Sequence, residues 1–220
     1  MIALIYLLVF VLYFAIVFVL ARAGFRFLRN HGKGRLWGGM FAAFIVLSGL
    51  GAVFWDAIPT WYTHHHLCET EAGLKIYITP DQWAKENPEA FAQVRAAAGQ
   101  QQTRRSENTA AAMHSWVEIA QGFSYEDFHQ WARDYAFHTG ISRQKMIYKP
   151  TGQILFEEVN FYSAAGKNSL AVGANNFADY KFWTVTGGCE RAYPDMKNKF
   201  QYEGLTFSDL AKQIYDWNQK

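Results

Sequence analysis

The sequence predicts an α+β protein. Residues 1–58 read as a two-helix N-terminal transmembrane hairpin, and residues 59–220 as an extracytoplasmic domain, an antiparallel sheet with helices packed on one face. Three observations lead to this reading. Two uncharged apolar stretches of equal length stand near the N-terminus. The loop between them carries basic residues and no acid. After Pro59 the pattern changes to helix-start signals mixed with β-branched and aromatic runs.

The first apolar stretch is Ile2 to Leu20, and the second is Trp37 to Trp55. Each has 19 residues. At ~1.5 Å per residue each spans about 28 Å, close to the ~30 Å hydrocarbon core of a bilayer. A helix is the expected form there, because lipid offers the backbone no hydrogen-bond partners. Ala21-Arg22-Ala23 resembles a small-x-small cleavage site. However, no basic segment precedes the apolar run, and the run is longer than a signal-peptide core, so an anchor is expected rather than a cleaved leader.

Residues 21–36 hold Arg22, Arg26, Arg29, Lys33 and Arg35. Basic loops stay cytoplasmic. Both termini and everything after Pro59 are then expected on the outer side. Of the 21 Lys and Arg, five lie in this loop, leaving 16; of the 19 Asp and Glu, all but Asp56 follow Pro59, leaving 18. A weakly acidic outer domain argues against nucleic acid as a partner. The loop's charge is explained by topology and by anionic headgroups, so the lipid bilayer is the first partner expected. Trp37 is placed at the inner interface, and Trp55, Trp61 and Tyr62 at the outer one. The second stretch also carries small residues at helical spacing: Gly38 with Ala42, Gly39 with Ala43, Ser48 with Ala52, and Gly49 between them. Gly38, Ala42, Gly49 and Ala52 are read as a helix-packing face, toward the first helix or toward a second copy in a homo-oligomer.

The outer domain opens with "LKIYIT", Leu74 to Thr79, a strand signal after Gly73. Thr79-Pro80-Asp81 and Asn87-Pro88-Glu89 are two successive helix starts, the second leading a helix over 88–98. The polar run Gly99–Thr109 reads as a linker. A helix is predicted over 109–121, and another from Ser124, with Phe128, Trp131, Tyr135 and His138 on one stripe and Gly140 as its stop. "RQKMIYK" and "QILFEEVNFYS" read as strands joined at Pro150-Thr151-Gly152. "SAAGKNSLAVGANN" reads as a loop and "DYKFWTVT" as a strand. Thr206 and Asp209 cap a last helix, whose apolar face is Phe207, Leu210, Ile214 and Trp217.

Cys68 and Cys189 are the only cysteines, and both fall in the outer domain. In an oxidising compartment two such cysteines pair. A metal reading competes for Cys68, because it follows His64-His65-His66. Zinc takes three or four convergent ligands. One regular element aims only part of the histidine run at one point: His64 with His66 on a strand, or His64 with Cys68 on a helix. His64 and His66 are therefore weak candidates, and no metal or other cofactor is expected. Glu126-x-x-His129 has di-iron spacing, but in a single copy. "GKNS" at 166–169 lacks the Walker glycine and hydroxyl positions, and no Gly-x-Ser-x-Gly elbow occurs.

The segments "LCETEAGLKIYITPDQW", "TGQILFEEVNFYS" and "KFWTVTGGC" resemble a loose group of bacterial and prophage-associated membrane proteins. Those proteins join N-terminal membrane helices to a Cys-bearing outer domain. The resemblance covers about a quarter of the chain. It implies a bacterial inner-membrane protein with a periplasmic domain and a disulfide, and brings no catalytic residue with it. Three functions are then expected in order. The first is a protein-interaction module with a protein partner, of the kind found in prophage envelope functions. The second is a membrane-tethered hydrolase-like enzyme using His114, His129 or His138 with nearby carboxylates, which requires a pocket holding at least two of them. The third is an accessory subunit docking through the second helix.

Overall fold

The computed structural model describes residues 2–32, 34–96, 104–108, 112–120, 122–130, 138–163, 181–184 and 186–216. These form two compact units, Met1–Pro59 and Thr60–Lys220.

The first unit holds helices α1 (Ile2–Asn30) and α2 (Arg35–Phe54). Both are long and apolar enough to cross a membrane. They pack antiparallel through small residues. A side chain at Gly49 would collide with Val17, and one at Gly38 would sit against Phe25. The Tyr13 hydroxyl donates to the Gly49 carbonyl at 2.9 Å, which closes the contact with a hydrogen bond.

The second unit is a six-stranded antiparallel sheet in the order β1-β6-β5-β4-β3-β2. Its strands are β1 (Gly73–Ile76), β2 (Arg104–Asn108), β3 (Ala112–Ala120), β4 (Phe123–Gln130), β5 (Thr139–Tyr148) and β6 (Gln153–Ser163). Helix α3 (Ala57–Thr70) leads in, α4 (Pro80–Glu86) and α5 (Pro88–Ala96) follow β1, and α6 (Cys189–Ala192) and α7 (Phe207–Asp216) come last. The caps act as the sequence predicts. The Thr79 hydroxyl accepts from Gln82 N at 3.2 Å, and Thr206 and Asp209 bond each other's backbone N–H groups at 3.3 and 3.0 Å. Gly152 takes φ +70° in the turn between β5 and β6, a conformation that costs glycine nothing.

Three predicted elements differ. The helix expected over 109–121 is strand β3, and the one expected from Ser124 is strand β4, with Gly140 inside β5 rather than ending a helix. Within the run 179–186, expected as a strand, Phe182–Thr184 form a short 3-10 turn. Part of the expected linker is strand β2. Trp131, Tyr135, Trp217 and the loop 164–176 lie outside the described residues.

The helices do not share one face of the sheet. Ile78, Trp83, Val94, Phe123, Met146, Phe156, Phe207, Leu210 and Ile214 form one core, which binds α4, α5 and α7. Leu67, Cys68, Ile141, Val159, Phe161, Cys189, Met196 and Phe200 form a second. Met146 and Ile141 are an odd number of residues apart on β5, as are Phe156 and Phe161 on β6, so the two cores lie on opposite faces. Each central strand therefore buries one face at one end and the other face at the other. That splits the apolar pattern along β4, β5 and β6.

The first core is dense with aromatic edges. Trp83 meets Phe123 at 4.8 Å and Phe156 meets Phe207 at 5.0 Å, both near-perpendicular. Phe156 has no exposed surface. We expect Phe156→Ala to destabilise the domain by about 3–5 kcal/mol through the cavity it leaves. In thermal unfolding of the full-length protein in mild detergent, followed by near-ultraviolet circular dichroism, this should appear as a Tm drop on the order of 10 °C.

Candidate functional site

β1 and β6 pair only from Gly73–Val159 to Ile76–Phe156, so the last residues of β6 run past β1. Their outward backbone groups need other partners. Ser163 N donates to the Thr186 hydroxyl at 3.1 Å, and Thr186 N donates back to the Ser163 carbonyl at 2.7 Å. The Ser163 hydroxyl donates to the Thr184 carbonyl. The Phe161 carbonyl accepts from His64 Nε2 at 3.2 Å.

The Cys68–Cys189 disulfide sits against this same edge. Its Cα atoms are 5.4 Å apart, and neither cysteine is exposed. Cys189 Sγ lies 3.7 Å from the Phe161 carbonyl. Two local arrangements aim the sulfurs. On α3, His64 and Cys68 are one turn apart and share a face. Across from them, the Asn160 side-chain carbonyl accepts from Cys189 N at 2.8 Å and fixes the start of α6. Gly188 allows this approach, because a Cβ there would lie 3.0 Å from the Asn160 amide. Lys199, in the 3-10 segment Pro194–Phe200, donates from Nζ to the Cys68 and Glu69 carbonyls and so caps the end of α3. Gly73 is required beside it: its φ is +135°, and a Cβ would lie 2.9 Å from the Lys199 carbonyl.

His64 is fully buried and neutral. Burial lowers its pKa from the ordinary histidine value, against a smaller pull upward from the Phe161 and Gly187 carbonyls. With Nε2 donating to Phe161, Nδ1 is the acceptor, and the Tyr193 hydroxyl donates to it at 3.1 Å. Burial raises the Tyr193 pKa, which keeps that hydroxyl a donor. The other two histidines of the run leave this site. His65 lies beside Glu69 at 3.9 Å with its ring against Tyr193, and exposed His66 lies parallel to Tyr62. The donor atoms of His64, Cys68 and Cys189 all fall within 4.8 Å of one another. Both sulfurs are used in the S–S bond, so one imidazole is what this cluster offers a metal. His66 is not part of it.

The remaining candidates are dispersed. His114 lies 3.7 Å from Glu126, and His129 lies 3.0 Å from Asp127, whose buried Oδ1 accepts no hydrogen bond. His114 pairs with Phe128 in the ladder and His129 with Met113, so the two imidazoles project from opposite faces of the sheet. His138 is in the turn before β5, with φ +56°. The structure does not gather two of these three histidines. A separate polar cavity of about 350 Å³ is lined by Asn160, Glu190, Arg191 and Lys197. Beside it, burial first and the Glu190 carboxylate second push the Glu158 carboxyl up to about 7. In the first unit, Gly38 and Gly49 face α1, Ala42 lines a groove, and Ala52 is exposed. Trp37, Trp55, Trp61 and Tyr62 are all more than half exposed, at 60%, 60%, 51% and 73%.

Comparison of the chain with protein-family models, curated proteins and solved structures finds no match. What it does must therefore be argued from these residues. Tyr193, Asn160 and Lys199 are the members of the site that the sequence does not announce. Each acts through contacts between segments far apart in the chain.

Two results are expected. The disulfide spans 121 residues, for which the chain-entropy model gives about 5 kcal/mol. Cys68→Ser with Cys189→Ser should unfold at much lower denaturant than the oxidised wild type, and non-reducing peptide mapping of the wild type should recover the two cysteine peptides joined. The pH response should have two opposed parts. His64 has a lowered folded pKa, so its contribution is present above about 6.5 and is lost as pH falls below it. Glu158 has a raised folded pKa, so its contribution is present below about 4.5 and is lost as pH rises through about 7. His64→Gln should remove the acid-side loss, and Glu158→Gln the loss toward neutral pH, in melting curves taken from pH 4 to 8.

Proposed function

We propose that this chain is a two-pass bacterial inner-membrane protein. The basic end of the hairpin, with Arg26, Arg29 and Arg35, faces the cytoplasm, both ends are periplasmic, and the 59–220 domain is an interaction or accessory module in the envelope. The observation that carries this reading is one chain with two membrane-length apolar helices, Arg22, Arg26 and Arg29 on the end of the first and Arg35 at the start of the second, and a buried disulfide in the unit that follows. The basic residues support an inner side for the end of the hairpin that carries them. The disulfide supports an oxidising compartment for the rest.

An interaction role is supported by the far end of the sheet. β2 is an edge strand, and among the described residues no strand pairs with its outer side. On the adjoining face, the His114 ring lies 5.1 Å from Trp116 and 6.3 Å from Phe128, an aromatic group beside Arg105 and Glu107. Trp with Arg is the composition that carries binding energy at interfaces, and an open edge accepts an added strand. The opposed placement of His114 and His129 gives the hydrolase reading no comparable support.

Reporter fusions and photo-crosslinking test both halves. An alkaline phosphatase fusion after residue 220 should be active, and one within 28–32 inactive; the reverse pattern overturns the topology. A photoreactive residue at position 116 should give a discrete crosslinked species in cells, lost when Arg105 and Glu107 are both changed to Ala. Absence of any species above the monomer would remove the interaction role.

A further inference from the structure

We propose that the helix hairpin holds one anionic glycerophospholipid, its acyl chain in a groove between α1 and α2 and its phosphate on Arg22. This rests on the membrane reading above and goes beyond it, since a bulk bilayer requires no fitted site.

The groove has a volume of about 580 Å³ and is lined by Phe18, Ala21, Arg22 and Phe25 of α1 and by Ala42, Ala43, Val46 and Leu47 of α2. That lies within the ~300–1,000 Å³ range of small-molecule sites. Ala42 and Ala43 leave the space that longer side chains would fill. The walls are apolar except for Arg22.

The depth of Arg22 makes the ligand anionic. The contacts between the helices set their heights: Gly24 lies against Phe41, Gly38 against Phe25, and Gly49 against Val17. Arg22 then stands level with Ala42 and Ala43, the residues it shares the groove with. These are seven and eight positions beyond Arg35, the last charge before the apolar stretch of α2. Counted from Trp37, where that stretch begins, at ~1.5 Å per residue the Arg22 backbone lies about 8 Å inside it. A guanidinium at this depth is costly without an anion. No Asp or Glu occurs before Asp56, so neither this hairpin nor the same hairpin of a second copy supplies one near Arg22.

A phosphate at the headgroup boundary does supply it. Arg26 and Arg29 follow Arg22 at four and seven positions on α1, so the three share a face and lead from the helix end to the groove. A basic pocket between membrane helices on the cytoplasmic side is the arrangement that retains anionic headgroups, and the guanidinium fork matches a phosphate. The apolar walls take the chain.

The test uses full-length protein in nanodiscs of phosphatidylcholine with a minor fraction of phosphatidylglycerol, released into native mass spectrometry. Wild type should retain phosphatidylglycerol above its fraction in the disc. Arg22→Gln should lower that retention about fivefold, the equivalent of one basic contact. Ala42→Leu with Ala43→Leu should do the same with every arginine present, and Arg35→Gln, which removes equal charge outside the groove, should not. Equal retention of both lipids by wild type, an equal loss in Arg35→Gln, or full retention in the double leucine variant would each overturn the proposal. Carbonate extraction of the same proteins separates the two levels. Wild type released by carbonate would overturn the two-pass reading. Wild type that stays in the membrane without a lipid preference overturns this inference alone.

Discussion

The sheet depends on how β6 is closed beyond the reach of β1. β6 has 11 residues and β1 has four, so the strand nearest the centre of both cores has an open edge over its last turn of pleat. An unpaired backbone group buried there would cost as much as a lost hydrogen bond. The molecule meets this with pieces rather than a strand. Thr186 takes Ser163, His64 takes Phe161, and Asn160 reaches back to the start of α6. These pieces come from the chain on both sides of the sheet's own sequence. The disulfide holds them against the edge and ties α3 to α6 covalently. The second core forms on the patch so closed, with Leu67, Met196 and Phe200 around the two sulfurs.

This diagonal arrangement explains which parts of the fold were legible. Elements announced by local chemistry were read with near-correct limits: the Thr79-Pro80 and Asn87-Pro88 starts, the turn ending at Gly152, and the Thr206–Asp209 cap with Phe207, Leu210 and Ile214 buried behind it. Strands β3 and β4 were misread as helices for a tertiary reason. On β4, Phe123 and Tyr125 face one core while Phe128 faces the other, so the apolar residues do not alternate strictly. The stripe read as helical, Phe128, Trp131, Tyr135 and His138, has only Phe128 on β4, and Trp131 and Tyr135 lie outside the described residues. On β3, Met113 and Trp116 similarly occupy opposite faces. A period of two is visible only when one face is buried along the whole strand, and here the burial changes face midway.

The candidate site was legible in part for the same reason. Cys68 and Cys189 could be paired from their count and compartment alone. Equal helical spacing of His64 and Cys68 was visible too, but which of the three histidines would turn inward was not, because that is decided by the Phe161 carbonyl almost a hundred positions away. The histidine run divides by environment. His64 becomes an uncharged hydrogen-bonding part of the core, His65 a surface neighbour of Glu69, and His66 an exposed ring beside Tyr62. Three identical residues thus take three different roles, and only the buried one contributes to closing the sheet.

The two arguments behind the proposed placement of the second unit are physically independent. One rests on the charge of residues 21–36 and the other on the redox chemistry of residues 68 and 189. Complete burial of the disulfide bears on the second in a specific way. Once the core has closed, a reductant cannot reach either sulfur, so persistence of the bond says little about where the folded protein resides. Formation is different. The thiols must meet and be oxidised before Leu67, Phe161 and Phe200 close over them, and α3 precedes α6 by more than a hundred residues of chain. Oxidation therefore has to accompany folding, which fits the proposed oxidising compartment. The proposed topology, with the basic end of the hairpin retained inside, would deliver the unfolded domain to such a compartment.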